Sequence, residues 1–457
     1  MRSSLLILRR LFPCRGLCFI LCLLLLCGPL LTLESFQRNY LPEYLCKLFL
    51  TMSPLPCPAY ASDLVTISGY VKNFSMVFDE PDAMEDGNGS PIGAVNTRLR
   101  LKLAVRPDGP LNFHAAYDLS PRIQDPSLFK KSPYPFAMDP SSYRVEDFDT
   151  LITPKGENPD TSFGLYHNLD RFFLTLQYGF GDIYIGRQAI AWGSAHMINP
   201  TDILAPFSFT ELDQEERFGV DALRIRVPIS MMSELDMGYV FGKDFSSREH
   251  AFFIRGKGYH WRTDMAVLLM GFKEHAMVGI DLTRSIGGAG VWLEAAYVKP
   301  EFFRDSNAPA DSTYDDTAYT RISIGMDGSL NEKLYGFVEY HFNSAGASSP
   351  EGYQDLFSTP AYRDGAVYLI GEHYLCIGGN YQLHPLAPMN ANLLYNLQDH
   401  SLSFSPQIEY NIAEDIYIAA GATLGIGKRP AGPGDPRLRS EFGAYPDMYW
   451  ASFRIYF

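Results

Sequence analysis

Tyr449-Trp-Ala-Ser-Phe-Arg-Ile-Tyr-Phe457 divides by parity. Tyr449, Ala451, Phe453, Ile455 and Phe457 make one apolar, aromatic-rich face, while Trp450, Ser452, Arg454 and Tyr456 make a more polar one. A period of two is that of a β-strand with one apolar side. The pattern recurs upstream. In Leu99-Arg-Leu-Lys-Leu103 and Leu223-Arg-Ile-Arg-Val227 the apolar residues alternate with Arg100, Lys102, Arg224 and Arg226. Ala391-Asn-Leu-Leu-Tyr-Asn-Leu397 and Leu402-Ser-Phe-Ser-Pro-Gln-Ile408 alternate with neutral polar partners.

From residue 62 to 457 such segments follow one another between clusters of Gly, Pro, Asn and Asp, giving about eighteen strands. A typical run of about 10–12 residues suits a tilted membrane-spanning strand and exceeds the five or six usual in a soluble sandwich. Numbered from the N-terminus, the odd connections include nearly all the long ones: 79–92, 120–163, 191–217, 300–316, 344–363 and 425–445. The even ones are short, such as Pro107-Asp108-Gly109. Sorting of loops by parity predicts an antiparallel transmembrane β-barrel, with short periplasmic turns, long extracellular loops and both termini on the periplasmic rim. Segments 261–271 and 364–380 do not alternate cleanly, and Pro406 interrupts a strand.

Composition agrees. Aromatic residues make up 14% of the chain, enough for girdles at two membrane interfaces. After about residue 33 no apolar run reaches helical-span length, which excludes a multi-span helical protein. A large soluble β-sandwich or β-helix is the competing reading of the same composition. Residues 1–61 read as an export leader: Arg2, Arg9, Arg10 and Arg15 precede an apolar run from Leu17 to Leu33, and Ala59-Tyr60-Ala61 is a cleavage candidate. Of seven Cys only Cys376 lies beyond it, so a chain beginning near Ser62 has no internal disulfide and no Cys-based metal site. Removing the leader's six basic and two acidic residues leaves 32 basic and 50 acidic, a net charge of −18, which disfavours nucleic acid as a partner.

A strand that ends on a bare aromatic resembles the closing strand of bacterial outer-membrane β-barrels. That resemblance implies Phe457 as the assembly signal. It also implies the barrel-assembly machinery, outer-membrane lipid and lipopolysaccharide as partners.

With polar faces turned inward, one wall presents Arg98, Arg100, Lys102, Arg106, Arg171, Arg224, Arg226, Arg255 and Lys257. The opposite wall presents Asp281, Glu294, Asp327, Glu339 and Glu409, with Arg321 as an exception. A basic wall facing an acidic one sets a transverse field, and the basic ladder offers stations to anionic solutes. The competing reading is that these residues pair across the lumen and brace the barrel.

The connection 191–217 carries the most distinctive sequence: Gly186-Arg-Gln, then Trp192-Gly, then Asn199-Pro-Thr-Asp202, followed by Glu211, Asp213, Glu215 and Glu216. These motifs, about 20 residues in all, resemble those of Gram-negative outer-membrane porins akin to the alginate-export barrels. The resemblance implies a loop bent into the lumen, with Asp202 and the Glu211–Glu216 cluster facing the basic wall as a constriction. An ordinary solvated surface loop is the alternative.

The sequence therefore predicts a channel for small hydrophilic solutes, anionic ones such as acidic saccharides included, with no cofactor and no catalytic residues. A closed barrel that anchors surface polysaccharide is the rival. An outer-membrane enzyme is the third reading, and His196, His341 and His373 stand in no catalytic spacing. Asp86-Gly-Asn-Gly89, with Asp79, Glu80 and Asp82 nearby, reads as a Ca²⁺ loop or as a solvated acidic surface loop, the latter favoured because no bidentate Glu follows at loop spacing, and no metal site is assigned.

Overall fold

The computed structural model describes residues 64–79, 91–129, 142–148, 150–155, 161–207, 209–304, 317–364, 367–430 and 437–457. The leader and the 86–89 segment lie outside them. The described residues form one antiparallel sheet. Its first strands are β1 (Val65–Asp79), β2 (Ile92–Val105), β3 (Leu111–Gln124), β4 (Leu151–Thr153), β5 (Phe163–Tyr178), β6 (Gly181–Ala189), β7 (Gly219–Ser230), β8 (Ser233–Val240) and β9 (Ala251–His260). There follow β10 (Thr263–Phe272), β11 (His275–Ile286), β12 (Ala289–Lys299), β13 (Tyr319–Ser329) and β14 (Leu334–Asn343). The last are β15 (His373–His384), β16 (Ala387–Asn396), β17 (Leu402–Ala413), β18 (Ile416–Ile426) and β19 (Asp447–Tyr456).

Strand β1 pairs with β2 on one side and with β19, from Tyr70↔Tyr456 to Asp79↔Asp447, on the other. The sheet is therefore a closed barrel with no free edge. The three-residue β4 lies only against β5, while β3 pairs directly with β5. Eighteen strands thus make the wall. The ladder continues one residue past β19. Phe457 N–H donates to Gly69 O at 3.0 Å, Phe457 O accepts from Gly69 N–H at 2.8 Å, and the Phe457 ring covers part of the space a Gly69 side chain would need.

One rim carries only short turns, at 106–110, 179–180, 231–232, 261–262, 287–288, 330–333, 385–386 and 414–415. The other carries 80–91, 125–162, 190–218, 300–318, 344–372 and 427–446. This is the expected parity, with short turns periplasmic. Large apolar residues such as Ile67, Val267, Leu269, Tyr297 and Tyr449 are exposed on the outside, while Lys72, Arg100, Glu294 and Glu339 are buried inside.

Two strand expectations need correction. The segment 364–380 is not one strand, since β15 begins only at His373. The connection expected over 120–163 starts later, because β3 extends to Gln124. The unclear alternation of β10 has a physical cause. Its inner face, Leu268, Met270 and Phe272, packs against Ile190, Trp192, Ile203 and Leu204 of the in-folded 190–218 connection, so both faces are apolar. The inner face of β15 likewise meets Ile198, Leu369 and Phe442. The core sits inside the barrel, where loops fill it. At Pro406 the β17–β18 register skips from Phe404↔Leu424 to Gln407↔Gly421, so the missing N–H falls where no ladder bond is made.

On the long-loop rim Glu441 ties three connections together. It accepts from Tyr374 Oη at 2.5 Å, Asn396 Nδ2 at 2.8 Å and Ile370 N–H at 3.1 Å. Burial pushes its carboxyl up to about 8.

Candidate functional site

The site is the connection 190–218 and the walls it touches. Its first half is fastened to the acidic wall through backbone N–H groups. Glu294 accepts from Ser194 N–H at 3.1 Å, Ala195 N–H at 3.2 Å, and Thr201 N–H and Oγ1 at 2.8 and 2.7 Å. Glu339 accepts from His196, Met197 and Ile198 N–H at 2.8, 3.3 and 3.1 Å, and from Trp292 Nε1 at 3.0 Å. Asp281 accepts from Ser194 Oγ. Arg321 donates to Pro200 O, and Ser323 Oγ to Ile198 O at 2.6 Å. Buried carboxylates that would be costly alone are thereby satisfied, and a loop with no secondary structure of its own gains backbone partners.

The second half reaches the other wall. Lys72 Nζ pairs with Asp213 at 2.8 Å and with Glu215. Arg98 meets Asp213 at 3.1 Å, and Lys102 pairs with Glu216, which also lies 3.7 Å from Arg100 and 3.9 Å from Arg171. Tyr456 Oη donates to Glu215 at 2.8 Å. The loop thus spans the lumen from β11–β14 to β1, β2 and β5.

The distinctive motif residues act in this docking. Arg187 binds Asp221 at 2.8 Å and Asp147 at 2.9 Å at the loop's root. Trp192 Nε1 donates to Asp236 at 3.4 Å. Gly193 holds φ at +113°, and a Cβ there would lie 2.2 Å from Asn199 Oδ1 and 2.8 Å from Glu294 Oε2. Only glycine fits. Asp202 does not face the basic wall, which corrects that expectation. It pairs with Arg217 within the loop, and burial pushes its carboxyl up to about 6. Glu211 is half-buried on the same loop.

The picture of a basic wall facing an acidic wall also needs correction. Arg100 is 2% exposed and held by Asp118 at 3.0 Å and Asp170 at 2.5 Å on neighbouring strands, so it is closed to a solute. Arg171 pairs with Asp170 at 2.6 Å, Arg224 with Asp236 at 2.6 Å, Arg226 with Glu234 at 2.6 Å, and Arg255 lies 3.9 Å from Asp281. The basic wall carries its own carboxylates. Parity reveals which way an arginine points but not which acid sits one strand away. Lys102 and Arg226 keep 37% and 38% side-chain exposure, and Arg106 and Lys257 are exposed; all four lie toward the short-turn rim. Asp327 lies 3.2 Å from His196 and accepts from Tyr335 Oη at 2.6 Å, and Glu409 pairs with Arg454. His341 is buried against Ser323 Oγ at 2.8 Å, a hydroxyl already donated to Ile198 O.

Between the loop and β14, β16 and β17 lies a cavity of 310 Å³. Its lining on the loop side includes His196, Asp202, Phe207, Gln214 and Arg217, and on the wall side Phe337, Asn392, Ser403 and Ser405.

This closed barrel, with an apolar outer band and a loop folded into a polar lumen, is the architecture of the outer-membrane porins of Gram-negative bacteria. The structure resembles OccAB1 of Acinetobacter baumannii, at 10% identity over 88% of this chain and 98% of that one, with a TM-score of 0.51. It resembles a BenF-like porin from Pseudomonas fluorescens Pf-5 at 10% identity, 86% and 98% coverage, and a TM-score of 0.53. OccK2 (OpdF) of Pseudomonas aeruginosa, solved in complex with glucuronate, matches at 8% identity, 86% and 96% coverage, and 0.50. No protein-family model and no curated protein matches the sequence. At these identities the likeness is one of fold, and the chain is a β-barrel of the porin fold.

Proposed function

We propose that the chain is an outer-membrane channel for small hydrophilic solutes, narrowed by the 190–218 loop, with residues 1–61 as its export leader. The carrying observation is the double attachment of that loop, at Glu294 and Glu339 on one side and at Lys72, Arg98 and Lys102 on the other. A loop so held narrows the lumen at a fixed place instead of swinging free. Anionic solutes, acidic saccharides among them, are favoured on the periplasmic side by the exposed Lys102, Arg106, Arg226 and Lys257. Assembly would use Phe457 as the signal for the barrel-assembly machinery, and the outer band would contact lipid and lipopolysaccharide.

The rival, a non-conducting anchor for surface polysaccharide, draws on the apolar packing of loops inside the outer half of the barrel. Planar-bilayer recording of the purified protein in salt separates the two. Discrete conductance steps, with sugar-driven swelling of proteoliposomes, are expected of the channel; a sealed bilayer would sink it.

A further inference from the structure

The geometry points to the cavity between the 190–218 loop and β14, β16 and β17 as a binding station for a neutral, polyhydroxylated solute of monosaccharide size. It rests on the channel reading and adds what the narrow zone recognises. The cavity's size, 310 Å³, lies at the lower end of the range of about 300–1,000 Å³ for small-molecule sites.

Charge is what the lining withholds. Apart from the Tyr368 phenol, its ionisable groups are each engaged within the fold: Asp202 with Arg217, and His196 with Asp327 at 3.2 Å. The Arg217 guanidinium is further covered by Phe207, whose ring centroid lies 3.8 Å away. A carboxylate entering this space meets no uncommitted cation among the described residues. A neutral solute meets no unpaired charge to desolvate.

Hydrogen-bonding capacity is what the lining supplies. Asn392 and Ser403 carry no side-chain hydrogen bond among the described residues, and Ser405 makes one long bond of 3.3 Å to Thr423. The strip continues toward the periplasmic rim with the Asn380–Asn390 amide pair at 2.6 Å. Amides and hydroxyls both donate and accept, as the hydroxyls of a polyol do. Phe337 stands beside them on the wall, and Phe209 and Tyr368 line the cavity from the loops; their ring surfaces suit the C–H face of a sugar or hexitol. The selecting chemistry is thus hydroxyl recognition against aromatic rings, while the lysines and arginines act only nearer the periplasm.

The test uses three six-carbon probes: sorbitol, gluconate and hexanoate. Binding to the purified full-length protein is measured by equilibrium dialysis, and current block is recorded in bilayers. Sorbitol is expected to bind, gluconate more weakly because its carboxylate finds no uncommitted cation, and hexanoate not at all. Asn392→Leu with Ser403→Ala should weaken sorbitol about tenfold, the loss of roughly one good hydrogen bond. Heat-modifiable gel mobility reports folding. Ser403→Ala alone, which removes one hydroxyl, should still weaken sorbitol if the pair does not fold. Hexanoate binding as tightly as sorbitol, or variants that bind sorbitol unchanged, would overturn the station. Sorbitol binding without salt conductance would retain the station and remove the channel reading instead.

Discussion

Arg100 shows what one residue does in this lumen. Its guanidinium gathers Asp118 and Asp170 from two further strands, and Asp170 is shared with Arg144 and Arg171. Removing the cation leaves two nearly buried carboxylates facing each other. Arg100→Leu should therefore cost about 3–5 kcal/mol, read as a lower temperature of gel-mobility change. Glu441 supplies a pH dependence. Its folded value of about 8 stands above the ordinary 4.5, so the folded state holds a proton that the unfolded chain releases. Its contribution is full below about 4.5, falls as pH rises from there, and is gone above about 8. The loops at 344–372 and 437–446 should thus resist proteolysis better at pH 5 than at pH 9, and Glu441→Gln should flatten that difference. Equal cleavage of the wild type at both pH values would count against it. The inward direction of Arg100 could be read from the leucines beside it. Its partners could not, because strand alternation fixes a face and says nothing about the neighbour across the ladder. The partner of Asp202 is hidden in the sequence for a related reason: Arg217 lies fifteen residues along the same loop.

At the scale of elements, the legible strands were those whose inner faces meet water or charge. β2, β7 and β19 alternate because one side faces lipid and the other a polar lumen. β10 and β15 defeat that reading because loop residues turn their inner faces into packed core. The 190–218 loop is legible as distinctive but not as a brace, since on the Glu294 and Glu339 side it fastens through its own backbone N–H groups, which carry no sequence signature. The brace can be loosened. Glu339→Ala strips three loop N–H groups and Trp292 Nε1 of their acceptor, at about 1–3 kcal/mol for each group left unsatisfied. The expected result is a larger and noisier single-channel current with barrel mobility retained on gels. An unchanged current would mean that the loop does not set the width.

For the molecule as a whole, selectivity and closure are separable. The exposed cations nearest the periplasm should govern ion preference, so Arg226→Glu with Lys257→Glu should move the reversal potential in a salt gradient toward cation preference. Arg224→Glu would instead disturb a paired, structural residue. Closure depends on the β1–β19 seam, to which Phe457 adds two backbone hydrogen bonds beside Gly69. Deleting Phe457 should reduce the yield of heat-modifiable barrel, while molecules that do close should conduct normally. The fold was largely written in parity and loop length; the channel's interior was not, because the residues that shape it meet only after closure. The loop makes this a matter of time. Lys72 and Asp213 are 141 residues apart, and so are Ile198 and Glu339. A segment halfway along the chain therefore waits for both the earliest and the late strands before it can fasten. The narrowing is thus a property that no single stretch of the chain holds: it exists only where strands from both halves of the chain meet the loop between them.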